Sequence, residues 1–164
     1  LPQILYNIPG RTGVNMLPST VARLCGLQNI VGIKEGSGSV QQASEIVSTC
    51  GDRITVLAGD DALTLPMMAV GGKGVISVTS NIVPSQMAQL VQAFLSSRID
   101  EARRIHSALS PLFNALFYET NPIPVKTALG LMGKIDPELR LPLCAMATET
   151  KDKLTRVLKD AGLI

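Results

Sequence analysis

The run Ile30-Val31-Gly32-Ile33-Lys34 decides the fold: it is apolar up to its last residue, too short for a helix, rich in β-branched side chains, and closed by a lysine. Runs of the same kind stand at Gln3 to Asn7 (QILYN), Ile54 to Ala58 (ITVLA) and Gly74 to Val78 (GVISV). All are largely apolar rather than alternating, which predicts strands covered on both faces, as in a parallel sheet. Leu17 to Cys25, Val40 to Ser48 and Ala62 to Val70 carry helical period between them, the first with Pro18 near its start, where a missing amide costs little. Strand starts recur every 20 to 30 residues or so, the size of a βα unit. Beyond the last of these strands the chain reads as helix: Pro84 to Ser96, Asp100 to Phe117, Val125 to Met132 and Thr148 to Ala161. Pro122 and Pro124 in NPIPVK set a turn between two of these helices.

Two architectures accommodate this order, an open doubly wound sheet and a (βα)8 barrel. A barrel needs about 250 residues for its eight units, so the units present make half of one. Neither GRTG at Gly10 to Gly13 nor GSG at Gly36 to Gly38 has the spacing of a dinucleotide or phosphate-binding fingerprint, which weighs against the open sheet. The expected fold is therefore α/β, a half TIM barrel over residues 1–97 followed by a helical region over 98–164.

Composition narrows the function. At 164 residues and 46% apolar content the chain can bury a sizeable core. Its 15 Lys and Arg nearly balance 13 Asp and Glu and are scattered, so no basic tract invites nucleic acid or an anionic membrane. Cys25, Cys50 and Cys144 lie far apart without metal-ligand spacing, and no run approaches the length of a membrane span. A reducing cytoplasm is the expected location. The sequence opens at Leu1, without an initiator methionine and just before a strand, which suggests a piece of a longer protein.

In a barrel of this kind the chemistry sits where strands end. Those ends carry Tyr6 and Asn7, then Lys34 and Glu35, then Gly59, Asp60 and Asp61, then Ser77 to Asn81. Lys34 closes an apolar run, and partial desolvation there disfavours the ammonium and leaves an amine able to attack a carbonyl. Taken alone, such a lysine more often pairs with a neighbour such as Glu35 or extends to water. Tyr6 holds the equivalent point one strand earlier, and strands about 4.8 Å apart bring its hydroxyl towards Lys34, where a phenol can pass protons. The plain alternative is a buried tyrosine with a satisfied hydroxyl. Arg11 follows in a loop bounded by Pro9, Gly10 and Gly13, where its guanidinium is able to grip a carboxylate with two hydrogen bonds, or simply to face water. Asp60 and Asp61 read as caps of the next helix rather than metal ligands, because no third ligand has suitable spacing. His106 reads as a partly exposed helical residue, and Gly71 and Gly72 as a turn.

The segments YNIPGRTG, VGIKEGSG, LAGDD and GGKGVISVTSN, in this order, resemble the dihydrodipicolinate synthase and N-acetylneuraminate lyase superfamily, and NPIPVK and LRLPL extend the likeness over essentially the whole chain. The resemblance implies the C-terminal half of the barrel, strands five to eight. It also implies a class I aldolase that condenses pyruvate with aspartate semialdehyde, in lysine and diaminopimelate biosynthesis, with no metal or organic cofactor. Carried over by position, Lys34 is the Schiff-base lysine and Tyr6 the proton-relaying tyrosine. Arg11 is the arginine that binds the semialdehyde carboxylate, Ile76 offers a main-chain oxygen to pyruvate, and Gly59 lies at the pocket floor.

The family's N-terminal half, with a threonine pair and a second tyrosine from a neighbouring subunit, is not in this sequence. The expected partners are therefore that missing half and further copies in a dimer or tetramer, and the chain alone is expected to be inactive. Two other readings stand beside this one. A sugar-acid aldolase such as N-acetylneuraminate lyase shares the lysine and tyrosine, but an arginine at position 11 suits the short carboxylated semialdehyde. A non-catalytic assembly piece is the third.

Overall fold

The computed structural model describes all residues, 1–164, as two compact units, Leu1–Ser77 and Val78–Ile164. The first is a βα repeat: β1 (Gln3–Asn7), α1 (Pro9–Thr12), α2 (Pro18–Leu24), β2 (Ile30–Glu35), α3 (Val40–Cys50), β3 (Thr55–Ala58) and α4 (Thr64–Ala69). Short 3-10 turns at Gly51–Arg53 and Asp61–Leu63 precede β3 and α4. The strands form one parallel sheet in the order β1-β2-β3, with Tyr6 opposite Lys34 and Lys34 opposite Leu57.

Register sorts the side chains by face. Leu5, Ile33 and Val56 share one face with Asn7, Glu35 and Ala58; Ile4, Tyr6, Lys34 and Leu57 share the other. The first face is buried. Ile33, Val56, Ile46, Val21, Cys25 and Cys50 form one apolar cluster, and Ala43, Ala58 and Met67 form another. The second face is open, with Ile4 50% and Tyr6 45% exposed. The strands are therefore covered on one face within this unit, not on both as the unbroken apolar runs predict. The apolar residues Ile4 and Leu57 lie on this face, outside both clusters.

The predicted fourth strand, Gly74 to Val78, is reduced to a single parallel bridge between Val75 and Ala58. Lys73 N–H donates to Val56 O at 2.9 Å and Ile76 N–H to Ala58 O at 3.0 Å, so the segment starts a ladder on β3. Gly74 at φ 154 opens it, and by Thr79 the backbone has already wound into a 3-10 turn.

Local signals account for the helix ends. Pro18 sits in the first turn of α2. The Ser39 side chain accepts from Gln42 N–H and caps α3. Asp60 does the same for Ala62 N–H at 2.9 Å, as its position before a helix predicts.

The second unit is helical: a 3-10 turn at Thr79–Asn81, then α5 (Pro84–Leu95), α6 (Ile99–Ala115), α7 (Ile123–Leu131) and α8 (Thr148–Asp160). Met87 and Leu90 of α5, Leu112 and Phe113 of α6, Ala128 of α7 and Leu154 and Leu158 of α8 are buried. Helix α5 packs chiefly on α6 within this unit. Pro124 lies within the first turn of α7, where it removes no helical hydrogen bond. No helix is long and apolar enough to cross a membrane.

Candidate active site

The carboxyl ends of the strands form a staircase of backbone hydrogen bonds. Gly36 N–H donates to Asn7 O at 2.8 Å, Gly59 N–H to Glu35 O at 2.7 Å, and Ile76 N–H to Ala58 O at 3.0 Å. Each bond ties the residue just past one strand to the last carbonyl of the strand before. Four of the residues singled out by sequence, Tyr6, Lys34, Gly59 and Ile76, stand on or beside these steps.

Lys34 and Tyr6 are brought into contact. They are cross-strand partners on the open face, and the Lys34 Nζ lies 4.2 Å from the centroid of the Tyr6 ring. The amine thus meets the π face of the tyrosine, a cation–π arrangement. Lys34 is half-buried, so its stem is held against the sheet while its nitrogen reaches the exposed ring. Glu35, the neighbour that offered an ordinary ion pair, turns to the opposite face.

Gly59 is required by close approach. A Cβ there would stand 2.8 Å from Gly36 Cα and 2.9 Å from Glu35 O, both main-chain atoms of the residues that follow Lys34. Its contribution is to let β3 close against the end of β2.

Arg11 lies on the helical turn α1 rather than in an irregular loop. Pro9 starts that turn, and Gly13, at φ 72, ends it in the left-handed conformation with its N–H donating to Pro9 O. Arg11 therefore follows Tyr6 on the segment that leaves the same strand, and is exposed. Ile76 is exposed, on the segment that runs parallel beside β3.

Sequence reading named Asn7 and Glu35 at the strand ends but did not find the group they form beneath these residues. Asn7, Asn15, Glu35 and Gln42 are joined by side-chain hydrogen bonds on the face opposite Lys34. Strand parity was the available signal, since Glu35 must point away from the face that Lys34 occupies. No group of three or more His, Cys, Asp or Glu side chains is placed to hold a metal ion.

A parallel α/β chain with a lysine and a tyrosine in contact at the carboxyl ends of adjacent strands defines the class, and comparison with known proteins supplies the family. The chain belongs to the Dihydrodipicolinate synthetase family, whose profile matches residues 1–161. It is 60% identical over 164 residues to 4-hydroxy-tetrahydrodipicolinate synthase of Geobacter sulfurreducens, and 58% identical to that of Thermodesulfovibrio yellowstonii. All of the chain is covered in both, but it spans only 57% and 56% of those relatives. Among solved structures, dihydrodipicolinate synthase of Thermotoga maritima superposes with a TM-score of 0.97 at 46% identity, covering 100% of this chain and 57% of that one. The chloride-inhibited enzyme of Acinetobacter baumannii, complexed with pyruvate, gives a TM-score of 0.97 at 41% identity, over 100% and 56% of the two chains.

Proposed function

We propose that this chain supplies strands five to eight of a (βα)8 barrel, over residues 1–97, and a C-terminal helical region, over 98–164, of a 4-hydroxy-tetrahydrodipicolinate synthase. The reaction is the class I condensation of pyruvate with aspartate semialdehyde. The observation that carries the reading is the Lys34 nitrogen, presented on Tyr6 at the carboxyl end of a parallel strand in a member of this family.

The Lys34 amine adds to the keto carbon of pyruvate, and loss of water leaves an imine. The imine draws electrons from the methyl carbon, which loses a proton and becomes the nucleophile towards the aldehyde. Tyr6 stands where protons must move to and from these atoms. Arg11 takes the semialdehyde carboxylate, the Ile76 main-chain oxygen takes pyruvate, and Gly59 keeps the floor narrow. The chemistry resides in the imine, with no other cofactor. An arginine at position 11 favours this over a sugar-acid lyase.

The open face of the sheet supports the half-barrel reading, because Ile4 and Tyr6 are exposed there and β1 has an unpaired edge. The chain alone is accordingly proposed to be inactive and to self-associate. A monodisperse monomer with substantial turnover, seen by sedimentation and an aldolase assay on one sample, contradicts this.

Pyruvate and borohydride, applied to the complete polypeptide, test the central reading. An irreversible adduct is expected on the peptide containing IVGIKEGSG, and Lys34→Arg should remove it, since a guanidinium stays protonated. An adduct that persists in the variant, or that maps to Lys73 or Lys126, refutes the assignment.

A further inference from the structure

Glu35 is fully buried, and it lies in the chain directly beside the proposed imine-forming lysine. A carboxyl group in that position is costly unless hydrogen bonds meet it. Three donors do. Ser37 N–H reaches Oε1 at 2.6 Å, Asn7 Nδ2 reaches Oε2 at 3.1 Å, and Gln42 Nε2 reaches Oε2 at 3.1 Å.

The orientation of every amide in this group follows from one main-chain donor that cannot reverse. Met16 N–H donates to Asn7 Oδ1 at 2.9 Å, which turns Asn7 Nδ2 towards Glu35 and towards Asn15 Oδ1 at 2.8 Å. Asn15 Nδ2 donates to Gln42 Oε1 at 2.9 Å, which leaves Gln42 Nε2 for Glu35. Ser37 N–H fixes the remaining side of the carboxyl group. Each member faces a partner of the opposite kind, so only an acceptor fits at position 35.

The connections reach two functional segments. Asn7 and Glu35 are cross-strand partners, and their bond locks the ends of β1 and β2 one residue past Tyr6 and Lys34. Asn15 and Met16 end the segment that begins after Asn7 and carries Arg11, so the same group closes that segment at both of its ends. We infer that the network of buried Asn7, Glu35 and Gln42 with Asn15 at its exposed rim is a positioning device that sets the Lys34 amine against the keto carbon and, through Asn15, sets Arg11 against the second substrate. The inference rests on the reading of Lys34 as the imine-forming residue.

The two arms separate by substitution in the complete polypeptide. Glu35→Gln places an amide donor among donors and should disturb both. Asn15→Ala removes none of the three groups that donate to Glu35, though it frees Gln42 Oε1, and should loosen chiefly the Arg11 segment. Gln41→Ala, on the exposed side of α3 and outside the network, is the control.

The measurements are the rate at which borohydride-trappable imine forms with pyruvate, kcat, KM for aspartate semialdehyde, and the unfolding temperature. For Glu35→Gln the imine rate and kcat should fall by roughly 10- to 100-fold, the loss expected when a reacting group is displaced by about an ångström. For Asn15→Ala, KM for the semialdehyde should rise about fivefold or more while the imine rate stays within about twofold of wild type.

Lower unfolding temperatures with wild-type imine rate and KM in both variants would show a purely structural network and overturn the inference. Should Glu35→Gln fail to fold, Asn15→Ala decides, because its side chain lies at the exposed rim. An unchanged KM there overturns the inference, and a raised KM with an unchanged imine rate upholds it. Wild-type protein that gives no adduct at Lys34 refutes the catalytic reading itself, a result visible before any variant is made.

Discussion

Replacing Gly59 with alanine tests whether the ends of β2 and β3 are packed as tightly as the geometry requires. The added methyl would sit 2.8 Å from Gly36 Cα, 2.9 Å from Glu35 O and 3.0 Å from Glu35 C. Carbon atoms prefer about 3.5–4.0 Å, so the two segments must part by roughly 0.7 Å or more. Every atom in the way is main chain, and no side-chain rotation relieves the clash. The Gly59 N–H bond to Glu35 O, 2.7 Å in length, stretches to the limit of a hydrogen bond as the gap opens. Overpacking of this kind costs about 1–3 kcal/mol, and the lost bond adds about 1 kcal/mol, giving roughly 2–4 kcal/mol in all.

With a urea dependence near 2 kcal/mol per molar, the midpoint of unfolding should fall by about 1–2 M. The imine-forming rate should fall with it, because the displaced atoms follow Lys34 directly. Gly10→Ala supplies the contrast, since Gly10 lies inside α1 with nothing within 4 Å of the added carbon. That variant should be neutral, or more stable by up to about 1 kcal/mol. A midpoint for Gly59→Ala within about 0.3 M of wild type, with imine formation unaltered, would refute the close-approach argument.

Arg11→Ala in the complete polypeptide should raise KM for aspartate semialdehyde while leaving pyruvate trapping largely intact, and equal loss of trapping would make Arg11 a structural residue. His106 packs on Phe113 with ring centroids 5.4 Å apart, and burial holds its imidazole below the ordinary value near 6.5. The unfolded chain then takes up the proton first, so stability is present above that pH and is lost as pH falls below it; His106→Leu should flatten this slope in urea titrations at pH 7 and pH 5.5. Cys144 should react with a thiol reagent at once and Cys25 and Cys50 only on unfolding, because both are buried and burial, reinforced by the Cys25 thiol, pushes Cys50 up to about 11. Rapid loss of all the thiols in the native protein would contradict the core packing.

Much of the first unit was legible because its signals are local. IVGIKE is too short and too apolar for a surface helix, and Pro18, Ser39 and Asp60 mark helix starts by chemistry that acts within a turn. The single turn α1 was missed, although Pro9 and Gly13 are helix start and stop signals, because four residues show no periodicity to set between them. The apolar run GVISV carried a strand pattern, yet pattern alone does not say how many hydrogen bonds a neighbour will offer, and only one bridge to β3 forms.

The network around Glu35 was out of reach for a different reason. Asn15 and Gln42 are 27 residues apart and Asn7 and Glu35 are 28 apart, so their pairing exists only once β1, β2 and α3 are in place. Period-two alternation puts Lys34 and Glu35 on opposite faces whatever the fold, but it does not say which face will be dry. The core settles that: Ile33 and Val56 turn inward under α2 and α3, and Glu35, two residues after Ile33, must follow them into the interior. There a carboxyl group persists only if donors surround it. The same alternation leaves Ile4, Tyr6, Lys34 and Leu57 on the other face, where apolar side chains outside the core clusters flank the amine. The strand sequences that gave the misleading expectation of two covered faces are therefore accounted for if the second face is the interior of the proposed barrel.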